Sequence, residues 1–418
     1  QVERLDRGAI AVRLNQGYAI SWRLLADEDA QTGFNVYRNS TKLNAEPIVN
    51  VTSYIDETAP LSSSYYVKKV QNGVEQPEIK PAFVINNSEG ANAGYFDIPV
   101  SRPAAGPNGG TYNIGDASAA DLNGDGQYDV VMKWDPSNAQ DNSKSGVTDD
   151  VFLDGYTLDG TFLWRINLGP NIRAGAHYTQ FLVYDFDGNG RAEVMCKTAP
   201  GTKDASGNFI SKGPSATADH SKIYRNSSGY ILTGPEYITV FDGETGLELA
   251  TDDYWPARGV VSKATWGDDY GNRVDRFNAA VAYVDGQRPT AIFQRGYYTR
   301  MTFAAWDWRD GKLTKRWTFD SNTTGNGAYY SQGNHQIAIV DADGDGQIDG
   351  ILITYSENIN TPSVSADVYQ VEGYVVKDVQ VSGKTVLVRI QESGAVDKDN
   401  TPKVTQVGEV ADDSAQHN

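Results

Sequence analysis

Three nine-residue stretches share one pattern and constrain this chain more than any other feature: Asp121-Leu-Asn-Gly-Asp-Gly-Gln-Tyr-Asp129, Asp185-Phe-Asp-Gly-Asn-Gly-Arg-Ala-Glu193 and Asp341-Ala-Asp-Gly-Asp-Gly-Gln-Ile-Asp349. Oxygen donors at positions one, three and five, with glycine at four and six, let the backbone curl so that several hard oxygens meet. Calcium suits such a cage, taking about six to eight oxygens at ~2.4 Å. An EF-hand would need Glu at position twelve, where the chain has Met132, Cys196 and Leu352. The closing carboxylate falls instead at position nine (Asp129, Glu193, Asp349), directly before a strand-like run. The candidate calcium ligands are therefore Asp121, Asn123, Asp125, Gln127 and Asp129; Asp185, Asp187, Asn189, Arg191 and Glu193; and Asp341, Asp343, Asp345, Gln347 and Asp349. Metal-free Asx turns are the alternative. The expected role of the ions is structural.

Around these loops the chain reads as all-β. Runs of four to seven β-branched or aromatic residues are bounded by Gly, Asn, Asp or Ser, and helical periodicity is scarce. Residues 1–90 divide into short strands, Ala9 to Leu14, Tyr18 to Leu24, Phe34 to Arg38, Ser64 to Val70 and Ala82 to Ile85, which predicts a small β-sandwich. A polar linker is expected at 86–92. Residues 95–356 carry the acidic loops, each followed by a strand (Val130 to Trp134, Val194 to Thr198, Ile351 to Tyr355). The spacing of Asp121 and Asp185 fits one four-stranded unit with long loops, so a calcium-bound β-propeller is predicted. In residues 357–418, Val375 to Val381 and Lys384 to Ile390 flank Ser382-Gly383 as a hairpin. That hairpin is either a separate small module or a pair that completes a sheet.

Charge narrows the partners. Lys and Arg number 36 against 54 Asp and Glu, a net charge of −18 that opposes general nucleic-acid binding. No apolar run approaches the ~18 residues of a membrane span. The single cysteine, Cys196, can form no internal disulfide and reads as a buried core residue. Gln1-Val2-Glu3 resembles a processed or artificially trimmed start, the first of which fits a secreted protein, and a monomer is expected.

Several further motifs resemble rhamnogalacturonan lyases of polysaccharide lyase family 11. They are Leu5 to Gly8, Ser21 to Leu25, Lys133 to Asn138, Asn171 to Gln180, Ser227 to Leu232, Gly271 to Arg276, Arg295 to Arg300 and Gln332 to His335. The resemblance covers roughly residues 1–350. It implies an N-terminal β domain, an eight-bladed propeller, calcium dependence and β-elimination on rhamnogalacturonan I, the pectic partner. It also implies that His335 ligates a catalytic calcium. The family's later His-Gly-Asp motif does not follow residue 350, and the span 95–350 holds about four or five blades at roughly 60 residues each, so a shortened propeller is expected.

Elimination needs a base for the galacturonate C5 proton and positive charge beside the carboxylate. Arg173, His177 and Lys197 are the catalytic candidates, with a hydrogen-bonded loop histidine and a structural lysine as the alternatives for the last two. Lys133, Asp135 and Asn138 are candidates for sugar binding, as are Arg295, Tyr297, Tyr298 and Arg300, which pair guanidinium with aromatic faces. His220 and His417 are expected to be solvated. A non-catalytic, calcium-stabilised carbohydrate-binding propeller is the competing function.

Overall fold

The computed structural model describes residues 6–25, 28, 31–78, 80–86, 95–285, 287–326, 330–331, 350–354, 366, 369–371, 376–382, 385–390 and 404–406. Two sheets form the first unit. One has β1 (Ile10–Arg13), β2 (Tyr18–Ser21), β5 (Ser53–Asp56) and β8 (Phe83–Ile85) in the order β5-β2-β1-β8. The other has β3 (Gly33–Arg38), β4 (Thr41–Lys42), β6 (Tyr65–Gln71) and β7 (Val74–Glu75) in the order β4-β3-β6-β7. Alternate residues of both sheets point inward, so Tyr18, Ile20, Phe34, Val36, Tyr65 and Val67 make one core. The β6–β7 hairpin turns on Asn72 and Gly73, both at positive φ (52° and 75°), the conformation a two-residue hairpin requires. Asn86 is described, and the rest of the expected linker, 87–92, lies outside the described residues.

Three antiparallel meanders follow. The first is β9 (Tyr112–Ala120), β10 (Asp129–Pro136), β11 (Phe152–Thr157) and β12 (Phe162–Asn167). The second is β13 (Phe181–Tyr184), β14 (Glu193–Thr198), β15 (Tyr237–Asp242) and β16 (Glu248–Asp253). The third is β17 (Phe277–Ala282), β18 (Thr290–Arg295), β19 (Thr302–Arg309) and β20 (Lys312–Asp320). Every residue of β14 and β18 is buried, because these inner strands are covered on both faces. Val131, Leu153, Trp164, Val194, Cys196 and Phe241 fill the space between the first and second sheets. Met195, Ile238, Val240, Phe293 and Trp306 do the same between the second and third. The first strands lie side by side, β13 against both β9 and β17.

The expected strands after the first two acidic loops are β10 and β14. The strand after the third is β21 (Gly350–Thr354). The C-terminal hairpin is β23 (Val376–Ser382) with β24 (Thr385–Ile390), paired from Ser382 opposite Thr385. It completes a sheet, because β24 also pairs along β21. The remaining strands, β22 (Tyr369–Val371) and β25 (Val404–Gln406), pair with each other. Asp341, Asp343, Asp345, Gln347, Asp349, His335 and His417 lie outside the described residues. No described helix is long and apolar enough to cross a membrane.

Candidate functional site

The meander sheets present two chemically different ends. At one end the β9–β10 and β13–β14 connections are the first two acidic loops, and they share one hydrogen-bond skeleton. Asp121 accepts from the backbone N–H of Gly124 and Gly126, both at 2.7 Å, and Asp185 accepts from Gly188 at 2.7 Å and Gly190 at 2.9 Å. The closing carboxylates reach back to the loop start: Asp129 accepts from Leu122 N–H at 3.0 Å and Glu193 from Phe186 N–H at 2.9 Å. Gly124 (φ 79°) has a second constraint, since a Cβ there would lie 2.8 Å from Cγ of Arg191. The loops thus touch, and Ala192 N–H donates to the Asp121 carbonyl at 2.7 Å. The N-terminal unit docks on the same place, through Asp6 N–H to the Gly126 carbonyl at 2.8 Å and the Arg23 guanidinium 4.6 Å from the Tyr128 ring centroid.

These loops gather negative charge with no described ion pair to offset it. Asp185, Asp187 and Glu193 each place a carboxylate oxygen within 4.8 Å of the others. Burial, reinforced by Asp187, pushes Glu193 up to about 9, and burial pushes Asp129 up to about 6. Asp121 and Asp185 are also raised by burial. The shifts point to a missing positive charge, so this donor set of hard oxygens fits a cation such as calcium. Position three of the first loop is Asn123, whose amide accepts no proton and turns to the Asp125 N–H at 2.9 Å. Gln127 and Arg191 take part through their backbone N–H groups, which donate to Asp125 and Asn189 at 2.7 and 2.8 Å. The Arg191 side chain turns away to Glu244 at 2.8 Å.

The opposite end collects every described catalytic and sugar-binding candidate. The connections 136–151, 168–180, 254–276 and 296–301 meet there. Gln140 N–H donates to the Ala174 carbonyl at 3.0 Å, Asn142 to the Asp275 carbonyl at 2.6 Å and Phe277 N–H to the His177 carbonyl at 3.2 Å. Beneath them lies a buried charge network. Glu236 accepts from Lys197 at 2.9 Å, Arg258 at 2.5 Å and Arg295 at 2.7 Å, and Asp275 lies 3.3 Å from both arginines. Burial opposes the charge on Glu236, but these three cations outweigh it and hold its carboxyl well below the usual range. Arg173 is buried beside the network. It bonds the Tyr178 hydroxyl and the Lys144 and Gly146 carbonyls, and it sits 4.6 Å from the Tyr230 ring centroid. Arg173, Lys197, Arg258 and Arg295 outnumber Glu236 and Asp275 within and beside this buried network.

The candidates therefore divide by access. Lys133 (1% exposed) bonds Asp116 at 2.5 Å, and Arg295 (0%) is committed to Glu236 and Asp275, so both underlie the surface rather than form it. Lys197 is likewise buried, 4.3 Å from the Phe277 ring centroid. Asn138 organises its loop by bonding both the N–H and the carboxylate of Asp149. Arg300 clamps Asp320 with contacts from 2.5 to 3.2 Å and lies 4.5 Å from the Trp266 ring centroid. Asp135 keeps one buried carboxylate oxygen without a partner, and burial raises its carboxyl above the usual range. The accessible groups are His177, with 37% of its side chain exposed and Nε2 4.0 Å from Asp141, and Tyr298, 40% exposed and tilted 51° against Tyr297 with ring centroids 3.8 Å apart. His220 departs from the expectation of a solvated residue. Its ring stacks on Phe209 at 4.8 Å and its Nδ1 accepts from Gly201 N–H at 3.1 Å, because the long β14–β15 connection folds back over itself.

Sequence reasoning missed Glu236 and Arg258, which lack any local motif, and Asp275, although it stands in the quoted Gly271 to Arg276 motif. Asp141 and Arg276 were missed as site residues too, although Arg276 stands in a quoted motif.

Comparison with known proteins gives consistent matches. The family model for the rhamnogalacturonan lyase family 11 C-terminal domain matches residues 95–373, and that for the rhamnogalacturonan I lyase β-sheet domain matches residues 1–85. The chain is 53% identical to rhamnogalacturonan endolyase YesW of Bacillus subtilis over 351 residues, 83% of this chain and 54% of that protein. It is 48% identical to the exolyase YesX of the same organism over 83% of this chain and 55% of that protein. The crystal structure of YesW superposes with a TM-score of 0.78 at 45% identity, covering 98% of this chain and 69% of that one. A Bacillus licheniformis rhamnogalacturonan lyase gives 0.75 at 54% identity, covering 84% and 58%. The chain spans about half the length of the curated relatives it matches.

Proposed function

The chain belongs to rhamnogalacturonan lyase family 11, and on that premise we propose that it cleaves rhamnogalacturonan I outside the cell by calcium-dependent β-elimination. In this reading residues 1–90 are a sandwich domain, 95–356 supply propeller blades and 357–418 add a further β segment. The adjacency of β9, β13 and β17, with apolar cores between successive sheets, supports a radial blade arrangement. The observation that carries the functional reading is the excess of buried guanidinium and ammonium groups over carboxylates beneath a tyrosine-rimmed end, in a chain of net charge −18. A polyanion of alternating galacturonate and rhamnose meets both guanidinium charge and ring faces there.

The residues divide the work. His177 is the accessible group for the C5 proton, and Asp141 beside it favours the imidazolium that results. Arg173 and Lys197 act from below, as fixed positive charge that stabilises the carbanion developing beside the uronate carboxylate. Lys133, Arg295 and Arg300 hold the strand ends that shape the surface, and Asp135, Asn138, Tyr297 and Tyr298 line it. Asp185, Asp187 and Glu193, with the corresponding oxygens of the first loop, would hold structural calcium. A calcium bound beside the substrate would supply charge neutralisation of the uronate carboxylate. Hydrolysis would need two opposed carboxylates across the scissile bond, whereas the patterned carboxylates here are gathered in the acidic loops.

A binding-only propeller is the second reading, and the burial of two of the three catalytic candidates, Arg173 and Lys197, favours it. Ultraviolet absorbance of an unsaturated uronate product decides between them. The lyase reading expects absorbance to rise on rhamnogalacturonan I with calcium and to stay flat with chelator or with polymer that lacks galacturonate. No rise under any calcium concentration, with the polymer bound, leaves the binding-only reading.

A further inference from the structure

We propose that Arg276 and Asp141 form, with His177 and Tyr298, a subsite that recognises a single uronate carboxylate, with Arg276 as its specificity-determining residue. The proposal rests on the reading of this end as the pectin-facing one and names the chemistry it selects. Its geometry is that of an open cage. Arg276 and His177 each place a nitrogen 4.0 Å from the same Oδ2 of Asp141, beyond hydrogen-bond reach. The other oxygen, Oδ1, is held by Ser143 through its backbone N–H at 2.9 Å and its hydroxyl at 2.6 Å. Asp141 is therefore fixed while Arg276 and the His177 ring stand off from it, so a uronate carboxylate would approach their outer, solvent-facing sides.

Arg276 is set for that task from behind. Its guanidinium lies 4.6 Å from the Tyr297 ring centroid, and its Nη2 contacts the Asn272 side-chain oxygen at 3.3 Å. Its Nε is buried without a hydrogen-bond partner. The group is thus kept planar and charged by an aromatic face with no bidentate carboxylate of its own among the described ion pairs. That distinguishes it from Arg295 and Arg300, whose charge is spent on Glu236 and Asp320. The Ser143 hydrogen bonds, then Arg276 and His177, hold the Asp141 carboxyl below its usual range, so Asp141 stays ionised and spaces Arg276 from the His177 ring. Tyr298, packed at a tilt against Tyr297 and exposed, offers an adjoining ring face for the neighbouring rhamnose.

Calorimetric binding of two rhamnogalacturonan I tetrasaccharides to the full chain in calcium tests this. One is native, and the other has its galacturonates reduced to galactose. Wild type should bind the native ligand at least about tenfold more tightly than the reduced one. Arg276→Gln should abolish that preference while leaving affinity for the reduced ligand unchanged, and Arg276→Lys should restore part of it. Thermal melts of each variant confirm folding, and Asp141→Asn serves as a second probe, weakening both ligands through loss of the spacing carboxylate. Equal affinity of wild type for both ligands, or a preference that survives Arg276→Gln, overturns the proposal. Intact discrimination with no unsaturated product retires the lyase reading and leaves the subsite standing.

Discussion

At one end of the meander sheets Asp185, Asp187 and Glu193 face one another with no described ion pair to offset them, while at the other Glu236 faces Lys197, Arg258 and Arg295. Both ends bury charge, yet only the second supplies its own counter-charges. Removing charge from water costs several kcal/mol per ion unless a partner replaces the water. The acidic end must therefore borrow its partner from solution, and the other end carries its own. The difference teaches that, on the proposed reading, a cation taken from solution would answer for stability at one end, whereas the other end is neutralised by the protein's own side chains.

The largest test of that contrast is chelation. With free calcium about a hundredfold above its dissociation constant, each filled loop stabilises the fold by about 2.7 kcal/mol. Removing it from the two described loops should lower the melting temperature by about 10 °C or more, read by scanning calorimetry. An unchanged melt in excess chelator would mean that the loops stand as metal-free Asx turns.

Next in size is Glu236→Ala, which leaves three buried cations facing Asp275 alone. It should destabilise the fold by about 4 kcal/mol. The loss should be the same with calcium and with chelator in denaturant titrations, because this network carries its own counter-charge. A loss confined to chelated protein would show the two ends to be one coupled system.

A smaller effect is expected from pH. The folded-state values of Glu193 and Asp129, about 9 and about 6, lie above the ordinary 4.5 and 3.8 of unfolded chains. A raised value favours the folded state below the unfolded one and loses that advantage as pH rises through the folded one. Chelated protein should thus be most stable near pH 5 and lose stability progressively toward pH 9. Calcium-loaded protein should show a flat profile over that range, since the cation keeps these carboxylates ionised. Glu236, shifted downward, affects only the acid limb. The reverse slope in chelator would contradict the buried, cation-free geometry of the loops.

How much of this was legible beforehand follows from the range of the contacts. The acidic loops are local: Asp185 bonds Gly188 and Gly190 within five residues, so the pattern of oxygens and glycines is the structure. The strands after them, and the hairpin β23–β24, were equally readable. The charge network is long-range, joining Lys197 and Arg295 to Glu236 across intervening strands and loops. Lys197 and Arg295 read in sequence as a base and a carboxylate ligand because their shared partner, Glu236, carries no motif. β5 went unread for a different reason: Ser53–Asp56 is a four-residue sheet-edge strand with only Tyr54 and Ile55 between polar ends.

The smallest expected effect marks the boundary of the acidic end. Arg191 was included among the calcium ligands, but its side chain makes an exposed ion pair with Glu244, and such pairs contribute about 0.5 kcal/mol or less. Arg191→Ala should leave calcium affinity unchanged in a titration monitored by melting temperature. A marked loss of affinity would place the side chain, rather than the backbone, in the loop's function.

The central claim is that the two ends do separate work, and one paired measurement tests it most directly: melting temperature together with affinity for the native tetrasaccharide, in Asp187→Ala and in Arg276→Gln, at a temperature where both are folded. The account predicts that Asp187→Ala lowers the melt and binds the sugar as wild type does, while Arg276→Gln melts as wild type does and loses about tenfold or more in affinity. Loss of sugar affinity in folded Asp187→Ala, or an unaltered affinity in Arg276→Gln, would contradict it.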